Sequence, residues 1–231
     1  MRLKSLFVLA AGLAFASSAA AQTAAPLPTP VKVPVAPPAV ASPENILHLD
    51  LSTGGRVSIQ LRPDAAPAHV ARIKSLARQG FYNGLVFHRV IEGFMAQTGD
   101  PEGTGEGGSP LPDLAGEFNT LPHLRGTVSM ARTDDPNSAN SQFFIMLAPR
   151  FSLDKKYTAF GRVTGGMQYV DAIEKGEPPL APSRILRATL GSDNVPPMTP
   201  AEIAAATPAP APAQAPTPQA LSLPTGELPQ Q

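Results

Sequence analysis

Residues 87–100 read Phe87-His88-Arg89-Val90-Ile91-Glu92-Gly93-Phe94-Met95-Ala96-Gln97-Thr98-Gly99-Asp100. Two apolar runs are parted by Glu92-Gly93, where glycine adds local backbone freedom. The pattern predicts strands over 85–90 and 94–98. Along an extended chain successive side chains point to opposite faces. Phe87 and Arg89 are therefore expected on one face, and His88 and Val90 on the other. Phe94 and Met95 then stand in the strand that follows an always-charged guanidinium, with Gln97 two residues on.

Working outward, the same short-strand texture continues. Ile46, Leu47, Leu49 and Leu51 precede Thr53-Gly54-Gly55, and Val57, Ile59 and Leu61 follow it. This is the pattern of a β-hairpin. Further strands are predicted over 127–131, 142–147, 158–163 and 184–190. Helical punctuation occurs twice. Pro67 opens and Gly80 closes a segment in which Val70, Ile73 and Ala77 share one face, with Leu76 adjoining it. Met167–Lys175 is the second, with Val170 and Ile173 inward. Many short strands and two helices favour a mainly β fold: a closed antiparallel barrel of about eight strands capped by two α-helices. There is no internal repeat.

The chain has 231 residues, 28 prolines and no cysteine. Seven prolines fall in 22–43 and ten in 195–231, so the stretch between is left to supply the core. We read 1–21 as a signal peptide, 22–43 as a disordered Pro/Ala-rich linker, 44–194 as the folded domain and 195–231 as a disordered Pro/Ala-rich tail. The leader reading rests on Arg2 and Lys4, the apolar run Leu6–Phe15, and Ala19-Ala20-Ala21 before Gln22, the order of charge, apolar core and small-residue cleavage site. The apolar run is too short for a spanning helix of about 20 residues. Export to a periplasm and no membrane attachment after cleavage are expected.

Lys and Arg together equal Asp and Glu at 18 each. Loss of the leader's two bases leaves a slightly acidic chain with no electrostatic reason to bind nucleic acid or anionic lipid. Absence of cysteine excludes disulfides, thiol catalysis and thiolate metal sites.

Three more segments accompany the first. They are Gly126-Thr127-Val128-Ser129-Met130-Ala131, Asn140-Ser141-Gln142-Phe143-Phe144-Ile145 and Thr158-Ala159-Phe160-Gly161-Arg162-Val163. In this order and spacing the four resemble the cyclophilin family of peptidyl-prolyl cis-trans isomerases, over roughly residues 44–190. The resemblance implies that Arg89 is the catalytic arginine. It implies that Phe94, Met95, Phe144 and Leu153 form a proline pocket, and that Gln97 orients arginine and substrate. Ala131, Arg132 and Gln142 would line the groove for residues before the proline, and Tyr157 would stand where many relatives carry His. It also implies no cofactor and no metal, proline-containing polypeptides as partners, and a monomer. Ser152 lies where many relatives carry Trp, which leaves cyclosporin binding open. Arg132 replaces a frequent Asn, and Glu92 a frequent Pro.

The residue types suit that chemistry. A slot of Phe94, Met95 and Phe144 can hold a pyrrolidine ring, and Arg89, Gln97 and Gln142 would set donors beside it. Rotation about X–Pro needs neither nucleophile nor metal. It needs stabilisation of a twisted amide whose nitrogen has regained its lone pair. Blander readings stand beside these. Arg89 can be a structural ion-pair partner, and Phe87 and Phe143 are assigned to the core. Gly103–Ser109 lacks the Lys-Ser/Thr of a phosphate loop and reads as a mobile surface loop. The four histidines have no metal-ligand spacing, and Ser141 lacks a nucleophile-elbow context. The competing functional reading is a non-catalytic, chaperone-like binder of proline-containing segments.

Overall fold

The computed structural model describes residues 42–207. The predicted leader, nearly all of the linker and the tail beyond 207 lie outside the described residues. Eight strands form one sheet: β1 (Ile46–Leu51), β2 (Gly55–Leu61), β3 (Arg89–Ile91), β4 (Met95–Thr98), β5 (Thr127–Met130), β6 (Phe143–Met146), β7 (Ala159–Gly165) and β8 (Ile185–Leu190). Their order is β3-β4-β6-β5-β7-β2-β1-β8, and every pairing is antiparallel.

The core lies on the inner face of this curled sheet. In β2, burial alternates so that Val57, Ile59 and Leu61 point inward, beside Leu47, Leu49 and Leu51 of β1. Phe143 holds the centre, edge-on to Tyr82 at 5.5 Å and to Phe160 at 6.1 Å between ring centroids. Each such edge-to-face pair adds about 0.5–1.5 kcal/mol beyond the burial of its rings.

Helix α1 (Pro67–Arg78) turns Val70, Ile73, Leu76 and Ala77 into this core. Its N-cap is Ala66, which offers no side-chain acceptor. The carboxylate of Glu117, 48 residues downstream of His69, accepts instead from the amides of Ala68 (3.1 Å) and His69 (3.0 Å). At the other end the Phe81 and Gly80 amides reach Leu76 O and Ala77 O, both at 3.0 Å. This crossed closure requires a left-handed residue, and Gly80 has φ +70°.

Three expectations need correction. The mainly β, eight-stranded antiparallel architecture is present, but among the described residues no ladder joins the edge strands β3 and β8. The chain just before β3 meets the start of β8 instead, through the isolated bridge Val86↔Arg184 and the backbone hydrogen bonds Gly84 N–H to Ile185 O, Ile185 N–H to Leu85 O and Phe87 N–H to Ser183 O. The second helix is shorter than predicted, α2 (Met167–Asp171), although Ile173 beyond it is buried as expected.

The third correction is at the tail, whose first residues are structured. A third helix, α3 (Pro200–Ala206), starts with a reciprocal Thr199–Glu202 cap and buries Ile203. The segment before it is strapped down through Asp50, which is 1% exposed and binds both Arg56 and Arg187. Those two arginines also donate to Val195 O and Pro196 O at 2.7–2.9 Å. Proline content masked this because Pro196 lacks a donor, yet its carbonyl still accepts, as does that of Val195.

Candidate active site

The sheet register assembles the site. Arg89 on β3 lies directly opposite Gln97 on β4, Gln97 opposite Phe144 on β6, and Phe144 opposite Ser129 on β5. Directly paired residues in antiparallel strands share a face, about 5 Å apart. A cation, an amide and an aromatic ring are thus laid in one row across three neighbouring strands, on the side away from the main core.

A cleft of about 690 Å³ opens over this row. Arg89, Phe94, Met95 and Gln97 line it from the β3–β4 hairpin, Ala131 and Arg132 from the segment just after β5, and Phe144 from β6. Leu153 and Tyr157 close it from the loop after β6. Met95 and Phe144 are buried and form the floor, with Phe94, Leu153, Tyr157 and Ala131 packed around them in a small apolar cluster separate from the main core. Nine of the ten residues expected at the site therefore meet in one cavity. The tenth, Gln142, lines an adjoining hollow of about 430 Å³ that also touches Gln97, Ala131 and Arg132.

The floor is propped from beneath. Phe144 meets Tyr157 edge-on at 5.8 Å and stacks on His123 at 6.3 Å. Asp154 Oδ1 accepts from the His123 amide at 2.8 Å and lies 2.9 Å from Nδ1, while Nε2 lies 3.1 Å from Ser129 Oγ. An ionised carboxylate cannot donate, so Nδ1 carries a proton toward Asp154, and Nε2 shares a hydrogen bond with the Ser129 hydroxyl. The Ser–His–Asp sequence of contacts has the form of a hydrolytic triad, but His123 and Ser129 are both 0% exposed. No carbonyl can reach them, so the triad holds Phe144 rather than attacking a substrate.

The walls are polar. Gln97 Nε2 donates to Gln142 Oε1 at 2.8 Å, and Gln142 Nε2 donates to Gly105 O and Gly107 O at 2.9 and 2.7 Å. The Asp100 carboxylate accepts from the amides of Glu102, Thr104 and Gly105. Burial pushes Asp100 upward, but backbone donors from Glu102, Gly105 and Gly107 and the Thr104 hydroxyl outweigh it and hold the group below the usual carboxylate range. The glycine-rich stretch read as a mobile surface loop is thus tied at both ends, and Gly103, Thr104 and Gly105 form one wall of the cleft. Arg132 stacks on Tyr157 at 4.6 Å and spends its donors on Lys156 O, Thr133 O and Asp134 O. Its side chain fixes the rim. Arg150 lies over the Phe94 ring at 4.9 Å, a rim cation that the sequence did not point to.

Strand alternation fails just before Arg89. Phe87 and Val90 enter the main core, while His88 and Arg89 both line the cleft. The ladder begins only at Arg89, so the two-residue period does not extend back to Phe87. His88 is buried with neither ring nitrogen bonded. Burial, reinforced by Arg89, holds its pKa below the usual imidazole range against the pull of Asp100.

Sequence reasoning also missed Glu177 and Pro178, which complete the cleft. Glu177 Oε2 accepts from Arg89 Nε at 2.7 Å. The two side chains are 45% and 50% exposed, so Arg89 is not locked to a buried acid. Among the described residues no cluster of His, Asp and Glu is placed to hold a metal ion, and no helix is long and apolar enough to cross a membrane.

The family model described as cyclophilin type peptidyl-prolyl cis-trans isomerase/CLD matches residues 48–190. The chain belongs to the cyclophilin family. It is a peptidyl-prolyl cis-trans isomerase. A probable peptidyl-prolyl cis-trans isomerase of Brucella suis is 49% identical over 169 residues, covering 66% of this cyclophilin and 86% of the relative. Peptidyl-prolyl cis-trans isomerase B of Bacillus subtilis is 41% identical over 128 residues, covering 55% and 89%.

Solved structures agree. A cyclophilin from Hirschia baltica superposes with a TM-score of 0.62 at 32% identity, covering 68% of this chain and 77% of that one. A Cryptosporidium parvum cyclophilin crystallised in the presence of the dipeptide Ala-Pro gives 0.59 at 27% identity, covering 63% and 98%.

Proposed function

We propose that this cyclophilin accelerates rotation about X–Pro bonds of exported polypeptides and so assists their folding. In this reading Arg89 supplies the decisive hydrogen bond. The observation that carries it is the row Arg89–Gln97–Phe144 lining one apolar-floored cleft.

The planar amide resists rotation by about 18–20 kcal/mol because the prolyl nitrogen shares its lone pair with the carbonyl. In that state the nitrogen is no acceptor. On twisting, the lone pair returns to nitrogen and a guanidinium beside it gains a hydrogen bond that the planar form cannot make. Only such a differential contact accelerates the step. Each 1.36 kcal/mol of it is worth about tenfold in rate. Phe94, Met95, Phe144 and Leu153 hold the ring and exclude water, which strengthens the contact. Gln97 and Gln142, with the backbone at Ala131 and Arg132, hold the preceding residues, and Tyr157 walls the pocket. The Ala-Pro present with the Cryptosporidium relative suggests a small residue before proline as a suitable ligand.

The basic head, apolar run and Ala19-Ala20-Ala21 at the start of the chain support export to a periplasm with cleavage before Gln22. We read the mature protein as a monomer that engages proline-containing segments without cofactor. The test is NMR exchange spectroscopy on an Ala-Pro peptide with wild type and Arg89→Ala. Collapse of the exchange rate in a variant with an unchanged melting midpoint is expected. Full activity in Arg89→Ala defeats the mechanism.

A further inference from the structure

We propose that Glu177 is a positioning residue for Arg89: it holds the Nε edge of the guanidinium and so aims the terminal nitrogens across the cleft. The inference rests on the isomerase reading above and assigns a role to a residue outside the four motif segments.

An exposed ion pair between two long side chains is ordinarily weak and poorly fixed. This one is built differently, because the two backbones are laced together. Val90 N–H donates to Gly176 O at 2.8 Å, and Gly176 N–H donates to Val90 O at 2.9 Å. The residue beside each bridged partner is then Arg89 on one side and Glu177 on the other. Gly176 has φ +146°, and a Cβ there would come within 2.6 Å of Pro179 Cα. Only glycine lets the Glu177-Pro178-Pro179 loop fold back at this point and bring Glu177 to the strand that bears Arg89.

The choice of atom matters. Arg89 meets Glu177 through Nε, and among the described residues no hydrogen bond engages its terminal nitrogens. An Arg side chain carries about 2 kcal/mol of rotamer entropy. Tethering the inner edge of the fork removes much of that freedom before substrate arrives and leaves the outer donors for the prolyl nitrogen. Gln97, directly across from Arg89, has its Nε2 committed to Gln142, and among the described residues the hydrogen bond made by the Arg89 guanidinium is the one to Glu177. A carboxylate at 2.7 Å also offsets part of the arginine's charge. The two effects have opposite signs, so experiment separates them. A tether acts through an acceptor and survives in an amide, whereas charge attenuation does not.

The experiment compares wild type, Glu177→Ala and Glu177→Gln, with kcat and KM for an Ala-Pro peptide and the Arg89 Nε–Hε resonance of the free proteins. Glu177→Ala should lower kcat about tenfold with KM within about twofold, the mark of an interaction needed only in the twisted state. Glu177→Gln should recover most of that loss. The Hε signal, sharp and protected in wild type, should broaden in Glu177→Ala and stay sharp in Glu177→Gln. A kcat that is unchanged or raised in both variants overturns the role. So does an Hε signal that is indifferent to either change, whatever the activity. A wild type that binds the peptide without accelerating rotation defeats the isomerase reading instead, and the resonance still decides whether Glu177 holds Arg89.

Discussion

Gln97 faces Arg89 across the β3–β4 ladder, yet its side chain reaches the other way and donates to Gln142 at 2.8 Å. The link runs on from Gln142 to Gly105 O and Gly107 O, so one amide pair joins strand β4 to the glycine-rich wall. Replacing Gln142 by Ala leaves two loop carbonyls and Gln97 Nε2 without partners. The wall should loosen while Arg89 stays in place. KM for an Ala-Pro peptide should rise about fivefold with kcat within about twofold, the pattern of lost uniform binding. A Michaelis–Menten series on purified Gln142→Ala checks it, and an equal fall in kcat contradicts it.

Phe144 is both pocket floor and structural member, stacked on His123 and edge-on to Tyr157. Phe144→Ala should destabilise the domain by about 3–5 kcal/mol, the usual range for emptying a buried phenyl site. Urea unfolding followed by far-UV circular dichroism gives the number. A shift under about 1 kcal/mol would mean the ring is less well packed than its burial implies.

The Asp100 carboxylate is held below the usual range because the backbone donors of the loop outweigh its burial. A depressed folded pKa stabilises the loop fully above the unfolded value of about 3.9, and that contribution drains away as pH falls through the folded value. Protection of the Thr104 and Gly105 amides in hydrogen exchange should fall as pH is lowered through that window, after correction for intrinsic rates. In Asp100→Asn the same slope should be absent. Equal pH slopes in the two proteins would contradict the assignment.

Asp50 gathers Arg56 and Arg187, and the same two arginines tie Val195 and Pro196 to the sheet. Burial pushes the Asp50 carboxyl up, and the two guanidiniums bring it below the usual range. Asp50→Ala would leave two cations without their buried counter-ion. Loss of one partner from a buried pair costs about 3–5 kcal/mol, and the exposure of Arg187 places the expectation near 3. Hydrogen exchange should show α3 losing protection before the sheet does. Loss spread evenly over the domain would argue against a local strap.

Much of this molecule was legible residue by residue. The alternation in Val57, Ile59 and Leu61 marked a strand with one buried face, and β2 has it. Pro67 and Gly80 bracketed α1 within two residues of its observed ends. Nine of the ten site residues expected from the motifs line one cleft. The misses have a common cause. Glu177 lies 88 residues from Arg89, in a loop whose composition says only that it turns. Glu117 caps a helix it does not adjoin. Asp50 strapped down a segment whose prolines read as disorder.

The order of polar and apolar residues along the chain marked where the strands fall, which face of β2 is greasy, and which four motif segments carry the family's chemistry. Those are local properties, set by backbone sterics and by a side-chain period of two or 3.6. The tertiary structure alone decided which atoms meet. Arg89, Gln97 and Phe144 share a row because three strands adopt one register, and Glu177 reaches Arg89 because a glycine folds its loop onto β3. Hydrogen bonds and ion pairs act over a few ångströms of space, and no local pattern encodes a distance between residues far apart in the chain.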